Sequence, residues 1–207
     1  MRIIEQSWDW VQKPNNPLTI IEQAGRTCYK SESKIDKSSA EKFVKMIVAS
    51  KHETVIEHIS ASVRFITNRG VTHELVRHRL CSFSQESTRY VKYSGEMEFI
   101  KPVWWDDLNY SKERRNIWIK HMEEAEKSYH HALELGDHAE QARDFLPQAL
   151  KTDIVVTANL REWRHIFNLR CSKASHPQIR SLMLSTLQGF AKEIPIVFDD
   201  LTVSLNS

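Results

Sequence analysis

The sequence predicts an α/β (α+β) protein: a mixed, largely antiparallel sheet flanked by long helices, in a single domain over residues 1–207. Three observations predict it. Stretches in which every second residue is apolar, the period of a half-buried strand, lie between stretches with the three-and-four spacing of amphipathic helices. The five glycines include no GxGxxG or GxxxxGK[ST] pattern, so neither a Rossmann turn nor a P-loop is available to hold a dinucleotide. No internal repeat or low-complexity linker interrupts the 207 residues, a length sufficient for one substantial core.

The elements follow in order. Arg2 to Ser7 reads as a short opening strand. Pro17 introduces a helix through Ile20, Ile21 and Ala24 that ends near Arg26-Thr27-Cys28-Tyr29. Ser38 with Glu41 makes a capping-box pattern, and Phe43, Met46 and Ile47 supply helical spacing behind it. Ile59, Ala61, Val63 and Phe65 alternate with Ser60, Ser62 and Arg64 as a strand, which Asn68-Arg69-Gly70 closes as a turn. Val71 to Leu80 begins as a helix and passes into an irregular polar loop. Glu96 to Val103, with Met97 and Phe99 against charged neighbours, is a strand. A long helix from about Ser111 to Leu135 carries Ile117, Met122, Ala125 and Tyr129 on one side and stops at Gly136. A shorter one, Ala139 to Phe145, ends at Pro147. The β-branched run Asp153 to Ala158 precedes helical spacing from Leu160 to Leu169. The last helix starts at Pro177 and packs through Ile179, Leu182, Met183, Leu187 and Phe190.

Composition narrows the function. Hydrophobic residues at 41% and charged residues at 27% are ordinary globular usage. A formal charge of +2 is too small for a general nucleic-acid binder, so local arginine clusters need a local explanation. No apolar run reaches the length of a membrane span, and Met1-Arg2-Ile3-Ile4-Glu5 lacks a secretory apolar region. Cys28, Cys81 and Cys171 are widely spaced and odd in number, against a disulfide framework or CxxC zinc site and in favour of a reducing, cytoplasmic setting. His52 and His58, six apart, lack helical i,i+4 pairing; with His73 and His78 they give no convincing ligand set, and no metal is expected. Trp104, Trp105, Trp118 and Trp163 read as core or interface residues.

One stretch carries chemistry: Arg77-His78-Arg79-Leu80-Cys81-Ser82-Phe83-Ser84-Gln85-Glu86-Ser87-Thr88-Arg89. It gathers guanidiniums, an imidazole, hydroxyls, an amide and a carboxylate with few apolar residues, and burying it costs free energy unless partners satisfy the charge. A guanidinium donates two parallel hydrogen bonds and so matches phosphate. On a helix, adjacent residues do not share a face, so Arg77 and Arg79 splay and can address two ligands or two subunits. The plain alternative is a solvated basic helix followed by a polar surface loop. A nucleotide- or RNA-binding module without chemistry would use the same groups.

The full string resembles the hallmark of the flavin-dependent thymidylate synthases: Arg77-His78-Arg79, Ser82, Ser87 and Arg89, followed by Tyr90. His52-Glu53-Thr54 with Glu57-His58 is similar to the family's HE…EH element. Ala142-Arg143-x-x-Leu146-Pro147, Asn159-x-Arg161 and Asn168-Leu169-Arg170 fall in the family's order, so the resemblance runs from roughly residue 20 to 195.

The resemblance implies methylation of dUMP to dTMP, with methylenetetrahydrofolate as carbon donor and NADPH-reduced FAD as hydride source. It implies flavin contacts at Thr54, Glu57, Arg77, His78, Arg79, Ser84, Asn159, Arg161 and His165. A dUMP loop is implied at Gln85, Glu86, Ser87 and Arg89, joined by Glu74, Arg77, Arg143 and Arg170. Arg170, His52 and Ser87 are the implied catalytic set: Arg170 to stabilise charge developing on uracil, His52 toward folate and the flavin ring, and Ser87 as a ligand contact rather than an attacking group. A homotetramer with shared active sites, and no nucleic acid or membrane partner, completes the expectation. Ser84 stands where many relatives have asparagine, Glu74 where glutamine is common, and His165 where another polar flavin contact is usual. Cys81 falls at a variable position of the motif and reads, with Cys28 and Cys171, as structural.

Overall fold

The structure, a computed structural model, describes residues 1–206. In chain order the strands and α-helices are β1 (Arg2–Ile4), β2 (Ser7–Gln12), α1 (Pro17–Cys28), α2 (Ser39–Ala49), β3 (Ser60–Asn68), α3 (Arg69–Leu75) and β4 (Ser82–Gln85). There follow β5 (Glu98–Ile100), α4 (Lys112–Glu134), α5 (Ala139–Ala142), β6 (Lys151–Asn159), α6 (Leu160–Arg170), α7 (Pro177–Glu193) and α8 (Pro195–Asn206). The mixed α/β class is as predicted. A four-stranded sheet has the order β2-β3-β6-β4, and β1 pairs with β5 in parallel, Ile3 opposite Phe99. Ser62 meets Thr157 and Arg64 meets Asp153, so contacts climb β3 while descending β6, the mark of an antiparallel pair.

The chain forms two compact units: Met1–Trp8, Arg64–Arg77 and Phe83–Val155 in the first, and Asp9–Val63, His78–Ser82 and the chain from Val156 onward in the second. The first is built around Met97, Phe99, Met122, Tyr129, Ala132, Ala142 and Leu150. Ser111 caps α4 by accepting from the Arg114 N–H at 3.3 Å, and Gly136 follows the helix at φ 103, where a side chain would be strained. Ile117 does not belong to the buried stripe of α4; it is 66% exposed. Five residues before Met122 it is turned off that face, and Trp118, four before, packs against Phe99 and Trp105 instead.

The second unit centres on Trp163, Phe167, Phe190 and Phe198, whose rings pack edge-on, tilted or stacked, with Trp10 against Phe190. The buried indole of Trp163 donates to the Ala61 carbonyl at 3.1 Å, tying α6 to β3. Between α1 and α2 the packing is close: a Cβ on Gly25 would lie 2.5 Å from the Phe43 ring, which is itself buried and covered by Arg26 at 4.6 Å. Gly25→Ala is therefore expected to destabilise by about 1–3 kcal/mol despite alanine's better helix propensity, measured as a lower urea midpoint at unchanged slope.

Several expected elements differ. The opening strand is divided into β1 and β2. The capping box at Ser38 does not form, because Asp36 competes: its Oδ1 accepts from both the Ser38 N–H (2.6 Å) and hydroxyl (2.8 Å). Asn68 is a cap, not a closing turn, its Oδ1 accepting from the Val71 N–H at 2.8 Å to start α3. That helix ends at Leu75, so Arg77, His78 and Arg79 are not helical, and the polar run after them is partly β4. Pro177 does not open the last helix: α8 restarts at Pro195 and buries Val197, Phe198 and Leu201. Among the described residues no helix is long and apolar enough to cross a membrane.

Candidate active site

In the second unit, β6 ends at Asn159, whose side chain caps α6 by accepting from the Glu162 N–H at 2.9 Å. This starts the helix where Glu162 and His165 fall three apart on one face. His78 reaches them from the turn after α3, with the Cys81 N–H bonded to its carbonyl. His78 is 5% exposed while Arg77 and Arg79 beside it are exposed, so the histidine is separated from its two neighbours without a helix.

The His78 Nε2 accepts from the Arg170 Nε–H at 3.0 Å, and its Nδ1 lies 3.6 Å from Glu162 Oε1. The His165 ring stands edge-on to it, centroids 5.7 Å apart. Burial, then Arg170 and His165, pushes the His78 imidazolium down to about 4, so the ring is neutral at physiological pH. Burial raises the Glu162 carboxyl against the pull of His165. Burial, then Glu162, pushes the Cys81 thiol up to about 12, and burial pushes Cys171 to about 12 as well.

A guanidinium can only donate, so the Nε2 facing Arg170 holds a lone pair and the proton of the neutral ring sits on Nδ1. This decides a second question. His78, Glu162 and His165 offer ligand atoms within 4.8 Å of one another, as a metal site requires. An Nδ1 that carries hydrogen has no lone pair to give, and a metal-bound histidine ordinarily donates, rather than accepts, through its other nitrogen. The trio is therefore not poised as a ligand set in this arrangement, and His78 is hydrogen-bonded to Arg170 instead.

Beside it opens a cleft of about 640 Å³ lined by Glu53, Glu57, Leu80, Asn159, Arg161, Glu162, Arg164, His165 and Asn168. Arg161 pairs with Glu57 at 2.5 Å, and Glu57 raises it further above its already high range. Arg164 is nearly buried and forms the floor's scaffold: it forks onto Asp200 at 2.8 and 2.7 Å, reaches Glu53 at 3.0 Å and donates to the Val197 carbonyl. A second cleft of about 720 Å³ in the same unit holds His52, whose Nδ1 is 3.5 Å from the Tyr29 hydroxyl, together with Lys34, Lys42 and the Glu22-bound Arg26. Thr54 is exposed and lines neither.

The first unit carries the loop after β4. The Gln85 amide N–H₂ donates to Thr72 (2.9 Å) and Thr152 (3.3 Å), anchoring the strand. The Glu86 carboxylate accepts from the Tyr93 hydroxyl at 2.5 Å and from Lys151 at 3.4 Å. Burial and then Glu86 raise the Tyr93 phenol, while burial works against the charge of Lys151 and is outweighed by Asp153 and Glu86, which raise it. These groups stiffen the base of the loop, leaving its tip polar. There the Ser87 hydroxyl accepts from the Arg89 N–H at 3.3 Å, and Arg89 lies over Tyr90 and toward Glu140. Arg77 donates to the His73 carbonyl at 3.4 Å; Ser84 and Arg143 are exposed and Glu74 half-buried.

The expected site residues thus divide between the units. Glu74, Arg77, Ser84, Gln85, Glu86, Ser87, Arg89 and Arg143 belong to the first, and His52, Thr54, Glu57, His78, Arg79, Asn159, Arg161, His165 and Arg170 to the second. Sequence reasoning missed Glu162, Glu53 and Asn168 around the cleft and the Tyr93–Lys151 support of Glu86. Glu53 and Asn168 had a readable signal, since each stands inside an element of the resemblance, His52-Glu53-Thr54 and Asn168-Leu169-Arg170, though neither was given a role of its own. Cys28 is exposed, so of the three cysteines expected to be structural it is Cys171 that is core.

The sequence matches the family described as "Thymidylate synthase complementing protein" over residues 10–196. It is 32% identical over 198 residues to a flavin-dependent thymidylate synthase of Geobacter sulfurreducens, covering 92% of this chain and 84% of that one. It is 32% identical over 191 residues to that of Pyrococcus furiosus, covering 89% and 77%. The Mycobacterium tuberculosis enzyme of that name is 33% identical over 214 residues, covering 94% and 84%. In fold, the chain is similar to the crystal structure of the UMP/dUMP methylase PolB from Streptomyces cacaoi bound with 5-Br dUMP, with a TM-score of 0.84 at 22% identity over 98% of this chain and 97% of that one. The extent of the family match, and relatives above 30% identity along most of its length, establish that this chain belongs to the flavin-dependent thymidylate synthase family.

Proposed function

We propose that this chain methylates dUMP to dTMP as a cytoplasmic enzyme, taking carbon from methylenetetrahydrofolate and reducing equivalents from NADPH through FAD. The observation that carries this reading is the buried neutral His78 holding Arg170, beside a cleft whose lining fits a flavin nucleotide. The donor set suits such a ligand: Arg161 for phosphate oxygens, Asn159 and Asn168 for polar edges, Glu53 and Glu57 for hydroxyls. The bound flavin supplies the hydride chemistry, which no side chain here can provide. Further contacts by resemblance come from Thr54, His78, Arg79, Ser84 and His165.

Arg170 provides a fixed positive charge for the electron-rich uracil that forms as C5 becomes nucleophilic, and His78 keeps that guanidinium from relaxing. Ser87, Arg89, Arg77 and Arg143, with Gln85, Glu86 and Glu74, are assigned to dUMP. His52, in the cleft with Lys34 and Lys42, is assigned to the folate side. The family match crosses residues of both units, which supports one catalytic domain along the chain. Assembly as a homotetramer with shared sites belongs to this proposal, and exposed Arg77 and Arg79 on either side of a buried histidine are suited to it.

The reading is tested by the visible spectrum. The purified protein is expected to carry or reconstitute a flavin band that NADPH with dUMP bleaches faster than NADPH alone; a colourless protein that FAD does not reconstitute would overturn it. No protein nucleophile is needed, since burial holds Cys81 and Cys171 as thiols. Replacing Cys28, Cys81 and Cys171 together by alanine is expected to leave dTMP formation within about threefold, whereas a thiol-dependent mechanism predicts its abolition by the ~10⁴-fold or more typical of a lost nucleophile.

A further inference from the structure

We infer that Glu162 is a positioning residue that, through His78, fixes the guanidinium of Arg170. The inference deepens the proposed reaction and rests on Arg170 acting in it. Glu162 has a side chain only 9% exposed, and among the described residues its one partner within ion-pair distance is His78. A carboxylate buried with so little compensation lowers stability, and such groups persist where something besides stability requires them.

The hydrogen-bond polarity identifies the requirement. Two neutral tautomers are open to His78. With the proton on Nδ1, Nε2 accepts from Arg170; with the proton on Nε2, two donors face each other and the 3.0 Å contact is lost. A negative carboxylate oxygen 3.6 Å from Nδ1 is too far for an ordinary hydrogen bond, but it favours an N–H dipole pointing toward it over a lone pair. Glu162 thus selects the tautomer, and the tautomer selects the position of Arg170. His165 and Cys81 also face Glu162, and neither donates a fixed charge that could replace it: the Cys81 thiol is held protonated and His165 is exposed to solvent.

The rival use of the same three side chains, a divalent cation held by His78, Glu162 and His165, requires the opposite tautomer and so is decided by the same measurement. In full-length protein labelled with ¹⁵N-histidine, long-range ¹H–¹⁵N correlation spectra are expected to show His78 Nδ1 protonated and Nε2 unprotonated, without any added ligand. Glu162→Met keeps the volume and removes the buried charge, so it is expected to fold and to give a mixture of tautomers. Its kcat for dTMP formation is expected to fall about 10- to 100-fold, with FAD content and the KM for dUMP within about threefold. Glu162→Gln, isosteric but uncharged, is expected to lose the tautomer preference and kcat as Glu162→Met does, because at 3.6 Å the carboxylate acts through its charge and not through a hydrogen bond. A wild-type His78 protonated on Nε2, or a tautomer identical in wild type and Glu162→Met, overturns the inference. Because the spectra need no turnover, that outcome is separable from failure of the proposed reaction, which would show as absent flavin binding and absent dTMP formation with the tautomer as described.

Discussion

Arg170→Ala is expected to lower dTMP formation by about 10²- to 10³-fold while FAD binding changes by less than about threefold, the range found when one preorganised electrostatic donor is removed from a reacting centre. The asymmetry follows from where the guanidinium is held. Its Nε is used by His78, and it does not line the cleft assigned to the flavin, whose lining includes Arg161, Asn159 and Asn168. Arg170→Lys should rescue little, because a single ammonium cannot reproduce the planar fork of a guanidinium whose Nε–H is fixed on His78. Single-turnover dTMP formation alongside a flavin titration separates the two effects. Equal losses of methylation and flavin affinity would remove the assignment of Arg170 to the pyrimidine.

Much of this site was legible before the fold, for a definite reason. The spacing of Arg77-His78-Arg79, Ser82, Ser87 and Arg89 is a local property of the chain, and so are the strand periods around Ala61 and Phe65 and the helical face of Met122, Ala125 and Tyr129. Long-range partners are not local. His78 and Arg170 are 92 positions apart, and nothing in an Arg-His-Arg triplet says that the middle residue is buried and its neighbours are not. Glu162 read alone is an ordinary acidic residue in the first turn of a helix, where it complements the helix dipole. Its chemistry appears only when the turn after α3 brings an imidazole against it.

Two errors in the fold have different origins, one local and one tertiary. Ser38 with Glu41 has the pattern of a capping box, but Asp36, two residues earlier, offers a stronger local acceptor. The segment Pro195-Ile196-Val197-Phe198 is rich in β-branched residues and carries little helical signal of its own. It is helical as α8 because Val197 and Phe198 are buried, Phe198 between Phe167 and Phe190. Tertiary burial decided both the missing helix and the missing site residue.

The same buried pair fixes how stability depends on pH, with contributions of opposite sign. His78 is held at about 4 by burial, Arg170 and His165, against 6.5 for an ordinary histidine. Above 6.5 neither the folded nor the unfolded chain protonates it. Between 6.5 and about 4 the unfolded chain takes up the proton and the folded one does not, so stability falls as pH falls and levels off below about 4. The gap corresponds to roughly 3 kcal/mol. Glu162 runs the other way: burial raises its carboxyl, so the folded chain holds a proton that the unfolded chain has released, and stability falls as pH rises above the ordinary glutamate range. Separate variants resolve the two. His78→Asn should lessen the loss of stability between pH 6.5 and 4 by about 3 kcal/mol, read from urea midpoints at each pH. Glu162→Gln should gain stability relative to the parent protein, and gain more at pH 8 than at pH 5, even as it lowers kcat. A parent-minus-His78→Asn difference that is flat across this range would mean that His78 protonates freely in the folded protein. Its Nε2 could not then be the standing acceptor for Arg170.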